Sequence, residues 1–360
     1  MATVPIVTRK DFPIWPNAGG GVRLMRSRRL DTMHYWAYSQ NDLDRDKPIW
    51  EFAGAILGIP QAARVLVGLE NDDANALFAE GLAHIGCTVL SVRVEMLERT
   101  MAEFEPSTLI ITPLTAHQLN LKDSLGGLNL LVLTGTVGAG DALRRRIVQK
   151  YPHLRVKELY YISEFAAPLA VECDKGALHW ATDGVAVELL ALGDDTPAQP
   201  GARARVVVSD VAERVQPLVR YDTGDLVQVL AGGCDCGRSG PRAHRLTLGK
   251  AASAPTVFGT RLYSGEFVEA LWSCEGTSDK IGANVRLDRG RSKDLVTICF
   301  EPLPGFDANQ VKKMIAAQFY KSFGFMPEVT TNFPPEFLPV LQVRDFRSLS
   351  PAVKDTLASA

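Results

Sequence analysis

Two stretches of the chain combine residue types that could hold a nucleotide. In residues 217–226, PLVRYDTGDL, the side chains of Arg220, Tyr221, Thr223 and Asp225 gather around Gly224, a residue that lets backbone approach a ligand. A carboxylate just past a Thr-Gly turn can accept both hydroxyls of a ribose. The plainer reading is a polar hairpin turn that only joins two strands. The second stretch, YYISE, holds Tyr160, Tyr161, Ser163 and Glu164. It falls where a buried strand is expected to end, the place at which open α/β sheets receive ligands. There an aromatic ring can stack on a base, a hydroxyl can bond phosphate, and a Glu can hold Mg²⁺.

A third set of residues is suited to metal. Cys173 and His179 lie across an expected hairpin, and Cys234 and Cys236 flank Asp235 in a knuckle-like turn after two glycines. Three sulfurs and one imidazole are the donor set of a closed structural Zn²⁺ site, whereas the bland alternative is four reduced surface side chains. Cys87, Cys274 and Cys299 sit among apolar neighbours and read as core residues.

The elements needed to position these groups follow from apolar patterning. Strands are expected at 63–69, 88–92, 108–112, 128–134 and 156–161, with helices at 72–85, 95–104 and 141–150 between them. Asp72 or Asp73 would cap the first of these helices, and Gly86 would end it. Strand, turn and helix in repetition imply a parallel sheet covered on both faces. From 169 to 192 the pattern changes to hairpin strands, with turns at 174–176 and 183–184, and short strands follow at 204–209 and 226–230. Beyond a boundary near Gly249 come one strand, 294–300, and one amphipathic helix, 307–323, capped by Asp307. The expected fold is α/β: a large domain (1–248) of mostly parallel sheet with a small β-hairpin or barrel-like part, then a small C-terminal α+β domain (249–360).

Composition narrows the function classes. Of 360 residues, 46% are hydrophobic and 22% charged, which is ordinary for a globular protein and argues against disorder or coiled coil. Lys+Arg 39 against Asp+Glu 41 gives a net charge of -2, which speaks against a nucleic-acid partner. The best apolar run, 128–133, is strand-sized, so no membrane span is expected. Residues 1–15 carry no apolar signal core, and six cysteines in so long a chain do not make a disulfide scaffold; the expected location is cytoplasmic. The basic run 23–29 reads as a solvated helix face, with binding of an anionic cofactor such as CoA the sharper alternative. Residues 34–36 read as an aromatic helix segment in the core. Arg144, Arg145 and Arg146 would face solvent or a second subunit, as in a homodimer.

Taken in order, YYISE, ECDKGALHW, RYDTGDL and CDCGRSGPR resemble the adenylate-forming superfamily, and within it the phenylacetate–CoA ligase-like branch. The resemblance runs from about Trp15 onward, and its specific motifs lie between Tyr160 and Lys250. It implies ATP-dependent activation of a small, aromatic carboxylic acid as an acyl adenylate, followed by transfer to CoA, an acyl carrier protein or an amine. Tyr160 or Tyr161 would line the adenine, Ser163 the phosphate and Glu164 the Mg²⁺. Thr223 and Asp225 would hold the ribose, and Lys250 would take the hinge position. Gly135 belongs to a loop that would border the adenine and acyl pockets, and His117 is a candidate general base beside the acyl pocket. Zinc at Cys173, His179, Cys234 and Cys236 matches what some relatives in this branch carry.

The sequence departs from the family pattern in its ATP-handling parts. The phosphate loop is replaced by Asn17, Ala18, Gly19, Gly20 and Gly21, which can form an amide nest but lacks hydroxyls and lysine; Arg23 or Arg26 would substitute in part. Relatives carry a substantial segment before this loop, so the resemblance implies an N-terminally shortened chain. The C-terminal lysine that assists adenylation is missing, and Arg344 falls near its place. Two alternatives therefore stand beside the ligase: an ATP-independent acyl transferase on the same fold, and a non-catalytic ligase homologue acting as a binding subunit.

Overall fold

Short runs of Val, Leu and Ile with both faces covered organise the molecule. The computed structural model describes residues 4–16, 22–29, 32–135, 140–250, 256–288, 293–333 and 343–345. The elements in chain order are β1 (Val22–Arg29), β2 (Thr32–Ser39), α1 (Gln40–Arg45), α2 (Lys47–Leu57), β3 (Arg64–Gly68), α3 (Asp72–His84), β4 (Thr88–Ser91), α4 (Leu97–Phe104), β5 (Thr108–Ile111), α5 (Pro113–Leu121), β6 (Leu130–Leu133), α6 (Gly140–Lys150) and β7 (Arg155–Tyr160). Then follow β8 (Ala170–Glu172), β9 (Leu178–Trp180), β10 (Val185–Leu190), β11 (Arg203–Asp210), β12 (Tyr221–Val229) and β13 (Arg242–Lys250). The C-terminal part holds β14 (Thr256–Val257), β15 (Thr260–Arg261), α7 (Ser264–Trp272), β16 (Thr277–Asp288), β17 (Lys293–Pro302), α8 (Ala308–Phe323), β18 (Glu328–Thr330) and β19 (Val343–Asp345).

The chain divides into two units, Met1–Ala139 with Arg146–Leu246, and Gly140–Arg145 with Thr247–Ala360. In the first, one sheet of eleven strands has the order β10-β11-β12-β13-β9-β8-β7-β6-β5-β3-β4. From β7 to β4 neighbouring strands run parallel, and from β7 to β10 the pairs described run antiparallel. The architecture is the expected α/β one, with a difference: the hairpin part is not separate but continues the parallel sheet through the β7–β8 pair. Val65, Val67, Ile110, Leu130 and Val132 face one core, which also takes in Trp50, Phe78 and Tyr160. Leu66, Leu109, Ile111, Leu131 and Leu133, alternating with them, are buried on the opposite face. Burial on both sides is why these strands read as unbroken apolar runs.

Local signals set the helices that flank the sheet. α3 is capped by Asn71, whose side chain accepts from the N–H groups of Asp73 and Ala74, one residue earlier than expected. Asn75 ties the same helix to the end of β3 through bonds with the Leu69 N–H and C=O, 2.8 and 2.9 Å. Gly81 lies against the Trp50 indole so closely that a Cβ would stand 2.1 Å from it, so this helix position admits no side chain. α5, beginning with Pro113, has no counterpart among the expected elements; its Thr112 cap and N1 proline are ordinary start signals.

The segment 22–39 differs more. It is an antiparallel hairpin, with Met25 opposite Trp36 and Ser27 opposite His34, and not a pair of helix segments. Met25, Ser27, Trp36 and Tyr38 are buried. Arg23 and Arg26 turn outward to ion pairs with Glu80 and Asp73 of α3, at 2.5 and 2.8 Å.

The second unit contains a four-stranded sheet of order β18-β17-β16-β19, with β16 and β17 antiparallel. α8 is capped by Asp307 as expected, and buries Val311, Ile315, Phe319 and Phe323.

Candidate functional site

β7 delivers Tyr160 to the point where the sheet changes from parallel to antiparallel pairing. Its carbonyl accepts from the Leu169 N–H at 2.8 Å, which closes the 161–168 loop over the strand end. On the other side, β12 starts at Tyr221 and pairs with β11, but the register jumps: Arg205 faces Leu226 while Val207 faces Asp222. Thr223, Gly224 and Asp225 thus bulge out of the ladder opposite Val206. What the sequence suggests is a turn is a β-bulge inside a strand, and bulges re-aim side chains next to sites. Gly224 adopts φ +75°, the left-handed backbone that the bulge requires. The Asp222 carboxylate fixes it, accepting from the Gly224 N–H at 2.8 Å and from Arg205 Nη1 at 2.7 Å.

The two stretches meet. Tyr160 Oη donates to Asp225 Oδ2 at 2.9 Å and lies 3.2 Å from Thr223 Oγ1. Thr223 Oγ1 donates to the Val206 carbonyl and accepts from the Asp225 N–H, at 3.0 and 3.1 Å. Tyr221 Oη donates to Glu164 Oε1 at 2.6 Å, and Ser163 Oγ donates to Glu164 Oε2 at 3.1 Å. Tyr38 Oη donates to the Ser163 carbonyl at 2.6 Å, and the Ser27 and Ser163 hydroxyls share a short bond. Burial, and then the neighbouring Glu164 charge, push the Tyr221 and Tyr161 phenols upward, so both stay protonated donors.

Tyr160 offers no open ring face, whereas Tyr161 is partly buried. Tyr160 is 1% exposed, with its ring edge-on to Trp180, and reaches the site through its hydroxyl. Tyr161 packs edge-on against Phe78 and donates to Met25 Sδ at 2.9 Å. Asp225 and Ser163 stay partly accessible.

Glu164, 5% exposed, has a cationic neighbour that no motif flags. Arg9 Nη1 lies 3.7 Å from Glu164 Oε1, and Arg9 Nη2 donates to the Ser27 carbonyl at 2.6 Å. The segment carrying Arg9 runs beside the bulged strand: the Val7 N–H donates to the Arg220 carbonyl and the Asp222 N–H to the Val7 carbonyl, at 3.0 and 2.8 Å. Arg220 itself, at φ +46°, leans away on Glu188.

The remaining candidates lie on other elements. His117 is wholly buried in α5. Gly135 follows β6 near Thr112, with φ +135°. Lys250 ends β13 and Arg344 lies in β19 opposite Asn284, each described by its backbone. Gly19, Gly20 and Gly21 lie outside the described residues.

The cysteine and histidine donors do converge. One ligand atom from each of Cys173, His179, Cys234 and Cys236 lies within 4.8 Å of the others. Cys173 follows β8, His179 sits in β9, and the other two come from the turn between β12 and β13. Cys173 Sγ and Cys234 Sγ are 3.8 Å apart, and Cys236 Sγ is 3.2 Å from His179 Nε2. Burial and the Arg238 and Arg242 charges lower His179, which favours the neutral ring a metal needs. Burial raises the Cys236 thiol, but the Arg238 N–H and the neighbouring thiols outweigh it and bring it to about 7. All six cysteines are free thiols. This donor set fits a tetrahedral ion.

Comparison with known proteins follows this geometry. No protein-family model matches the sequence. The chain is 26% identical over 221 residues to a phenylacetate-coenzyme A ligase of Pseudomonas putida, covering 54% of this chain and 47% of the relative. With a phenylacetate-coenzyme A ligase of Thermus thermophilus it shares 26% over 252 residues, 65% of this chain and 55% of that one. The chain thus spans about half the length of the curated relatives it matches. In three dimensions it is similar to a 2-hydroxyisobutyryl-CoA ligase in the postadenylation state, with TM-score 0.78 at 17% identity, covering 99% of this chain and 83% of that one. An anthranilate CoA ligase in complex with anthranoyl-AMP follows at TM-score 0.64 and 14% identity, covering 86% and 64%. Among the described residues, no helix is long and apolar enough to cross a membrane.

Proposed function

We propose that this chain is a phenylacetate–CoA ligase-like member of the adenylate-forming superfamily, that it binds an adenine nucleotide where residues 160–164 meet residues 222–225, and that it activates a small carboxylic acid there. The observation that carries this reading is the Tyr160–Asp225 bond, which locks a part-exposed carboxylate at the sheet's change of direction. Asp225 keeps its other lone pairs for the ribose hydroxyls, while Thr223 and the Gly224 bulge fix its orientation. Ser163, held between Ser27 and Glu164, is the hydroxyl next to the α-phosphate.

The substrate carboxylate attacks the α-phosphorus, the bond to pyrophosphate breaks, and an acyl adenylate forms. A thiol, with CoA the proposed acceptor, then attacks the acyl carbon and expels AMP. An aromatic acid is the proposed substrate class. From sequence position alone, Lys250 is proposed as the hinge of a mobile C-terminal domain, and Arg344 as the cation that assists adenylation. Zn²⁺ held by Cys173, His179, Cys234 and Cys236 would staple the β8–β9 hairpin to the β12–β13 turn, supplying structure and no step of the reaction.

ATP–pyrophosphate exchange over a panel of aryl and alkyl acids tests the proposal. Exchange that is lost in Asp225→Ala is expected; no exchange with any acid would overturn it. The closure of Glu164 by Arg9 and Tyr221 favours one second reading, acyl transfer from a preformed thioester without ATP. Exchange of labelled CoA into an aryl-CoA in the absence of nucleotide would identify that activity.

A further inference from the structure

Glu164 occupies the place in YYISE that the family resemblance gives to Mg²⁺, and its surroundings do not fit that ion. Both carboxylate oxygens are engaged by the protein, Oε1 by Tyr221 Oη at 2.6 Å and Oε2 by Ser163 Oγ at 3.1 Å. A cation already stands beside it, with Arg9 Nη1 at 3.7 Å and both side chains almost fully buried. Mg²⁺ demands near-octahedral oxygen ligands and gives up its water reluctantly. Among the described residues, the grouping of three or more metal-ligating side chains lies elsewhere, at the cysteines and His179.

We infer that Arg9 is the resident counter-ion of Glu164, so that the pocket receives its nucleotide with a guanidinium in place of a divalent cation on this carboxylate. This rests on the proposed nucleotide site. Turning Glu164 toward a metal would strand a buried guanidinium, which is the expensive way to break an ion pair. Arg9 cannot follow the carboxylate or swing clear, because its segment is bonded through Val7 to Arg220 and Asp222 and its Nη2 to the Ser27 carbonyl. Phe12, three residues on, packs against both Trp36 and Tyr221, which holds the same segment from its other side. Arg9 Nε is buried without a hydrogen-bond partner, so the guanidinium depends on Glu164 and the Ser27 carbonyl for its neighbours.

Calorimetric titration of ATP into the full chain, in excess Mg²⁺ and in EDTA, tests this. For the wild type and Glu164→Gln, affinity in the two buffers should agree within about threefold and the two proteins should respond alike. Arg9→Met, which frees the carboxylate, should gain a Mg²⁺ requirement of about tenfold or more, and Arg9→Lys should not. Tightening of the wild type by Mg²⁺ of about tenfold that Glu164→Gln removes would overturn the inference and leave the nucleotide site standing. ATP that binds in neither buffer would overturn the site itself. The wild type decides the matter even if a variant fails to fold: equal affinity in the two buffers upholds the inference, and a tightening by Mg²⁺ of about tenfold counts against it.

Discussion

Tyr160 and Asp225, 65 residues apart in sequence, are joined by a 2.9 Å hydrogen bond from the phenol to Oδ2. That bond links the last residue of the parallel half to a bulge in the antiparallel half, and so ties the candidate ribose acceptor to the rigid sheet. A hydrogen bond to a charged group is worth about 1.5–3 kcal/mol when buried. Tyr160→Phe should therefore weaken AMP binding by about tenfold or more in calorimetry while leaving the fold intact. Unchanged affinity would remove Tyr160 as the residue that orients Asp225.

The bulge makes a separate prediction. Gly224 holds φ +75°, where an L side chain is strained. Gly224→Ala should cost about 1 kcal/mol of stability in urea unfolding and also lower nucleotide affinity, because Asp225 is re-aimed. A loss of stability with full nucleotide affinity would separate the bulge from the site.

Metal at the cysteine cluster is checked without any activity. The purified protein should carry about one zinc per chain, absent from a Cys234→Ser/Cys236→Ser variant. That variant should unfold at lower temperature, since the ion would add a tie between the β8–β9 hairpin and the 230–241 turn beyond the pairing of β9 with β13. Because ligation requires deprotonated sulfur and a neutral imidazole, zinc affinity should fall as the solution is acidified. A stable protein free of any metal would remove the ion from the account.

A buried charge cluster outside the site gives a pH signature. Arg214 pairs with Asp46 through two bonds, 2.5 and 3.2 Å, and meets Asp210 at 2.5 Å without the angle of a hydrogen bond. One guanidinium thus serves two carboxylates, with Asp42 adding a third negative charge nearby. Burial first, and then the Asp210 and Asp42 charges, raise Asp46 from 3.8 to about 6 despite Arg214. The native state therefore holds a proton that the unfolded chain has released between those values. The stabilising contribution is complete below the unfolded value and is lost as pH rises through about 6. The unfolding free energy of the wild type, measured against Asp46→Asn, should fall by about 2 kcal/mol between roughly pH 4.5 and 7.5. A difference that is flat or rises with pH would contradict this.

The sequence made the parallel half readable because its signals are local. Runs such as 64–68 and 130–133 are buried on both faces, and Asp307 marks a helix start by cap chemistry, whereas at α3 the cap is Asn71 and not Asp72 or Asp73. The β1–β2 hairpin was hidden because its buried set, Met25, Ser27, Trp36 and Tyr38, mixes polar with apolar residues, while Arg23 and Arg26 stand exposed on the same strand. The motif at 220–225 was visible, yet its bulge was not, since a bulge is defined by the partner strand. Arg9 carries no motif at all; only the folded chain brings it to Glu164. The four metal donors could be found from spacing because each pair lies close in sequence.

The most direct measurement is the calorimetric affinity of AMP and of 2′-deoxy-AMP for the wild type and Asp225→Ala. If residues 160–164 and 222–225 embrace one adenosine, the wild type binds AMP more tightly than the deoxy compound. Asp225→Ala then weakens AMP by about tenfold or more and erases the preference. Equal affinity of the wild type for both nucleotides, unchanged in the variant, would contradict the account.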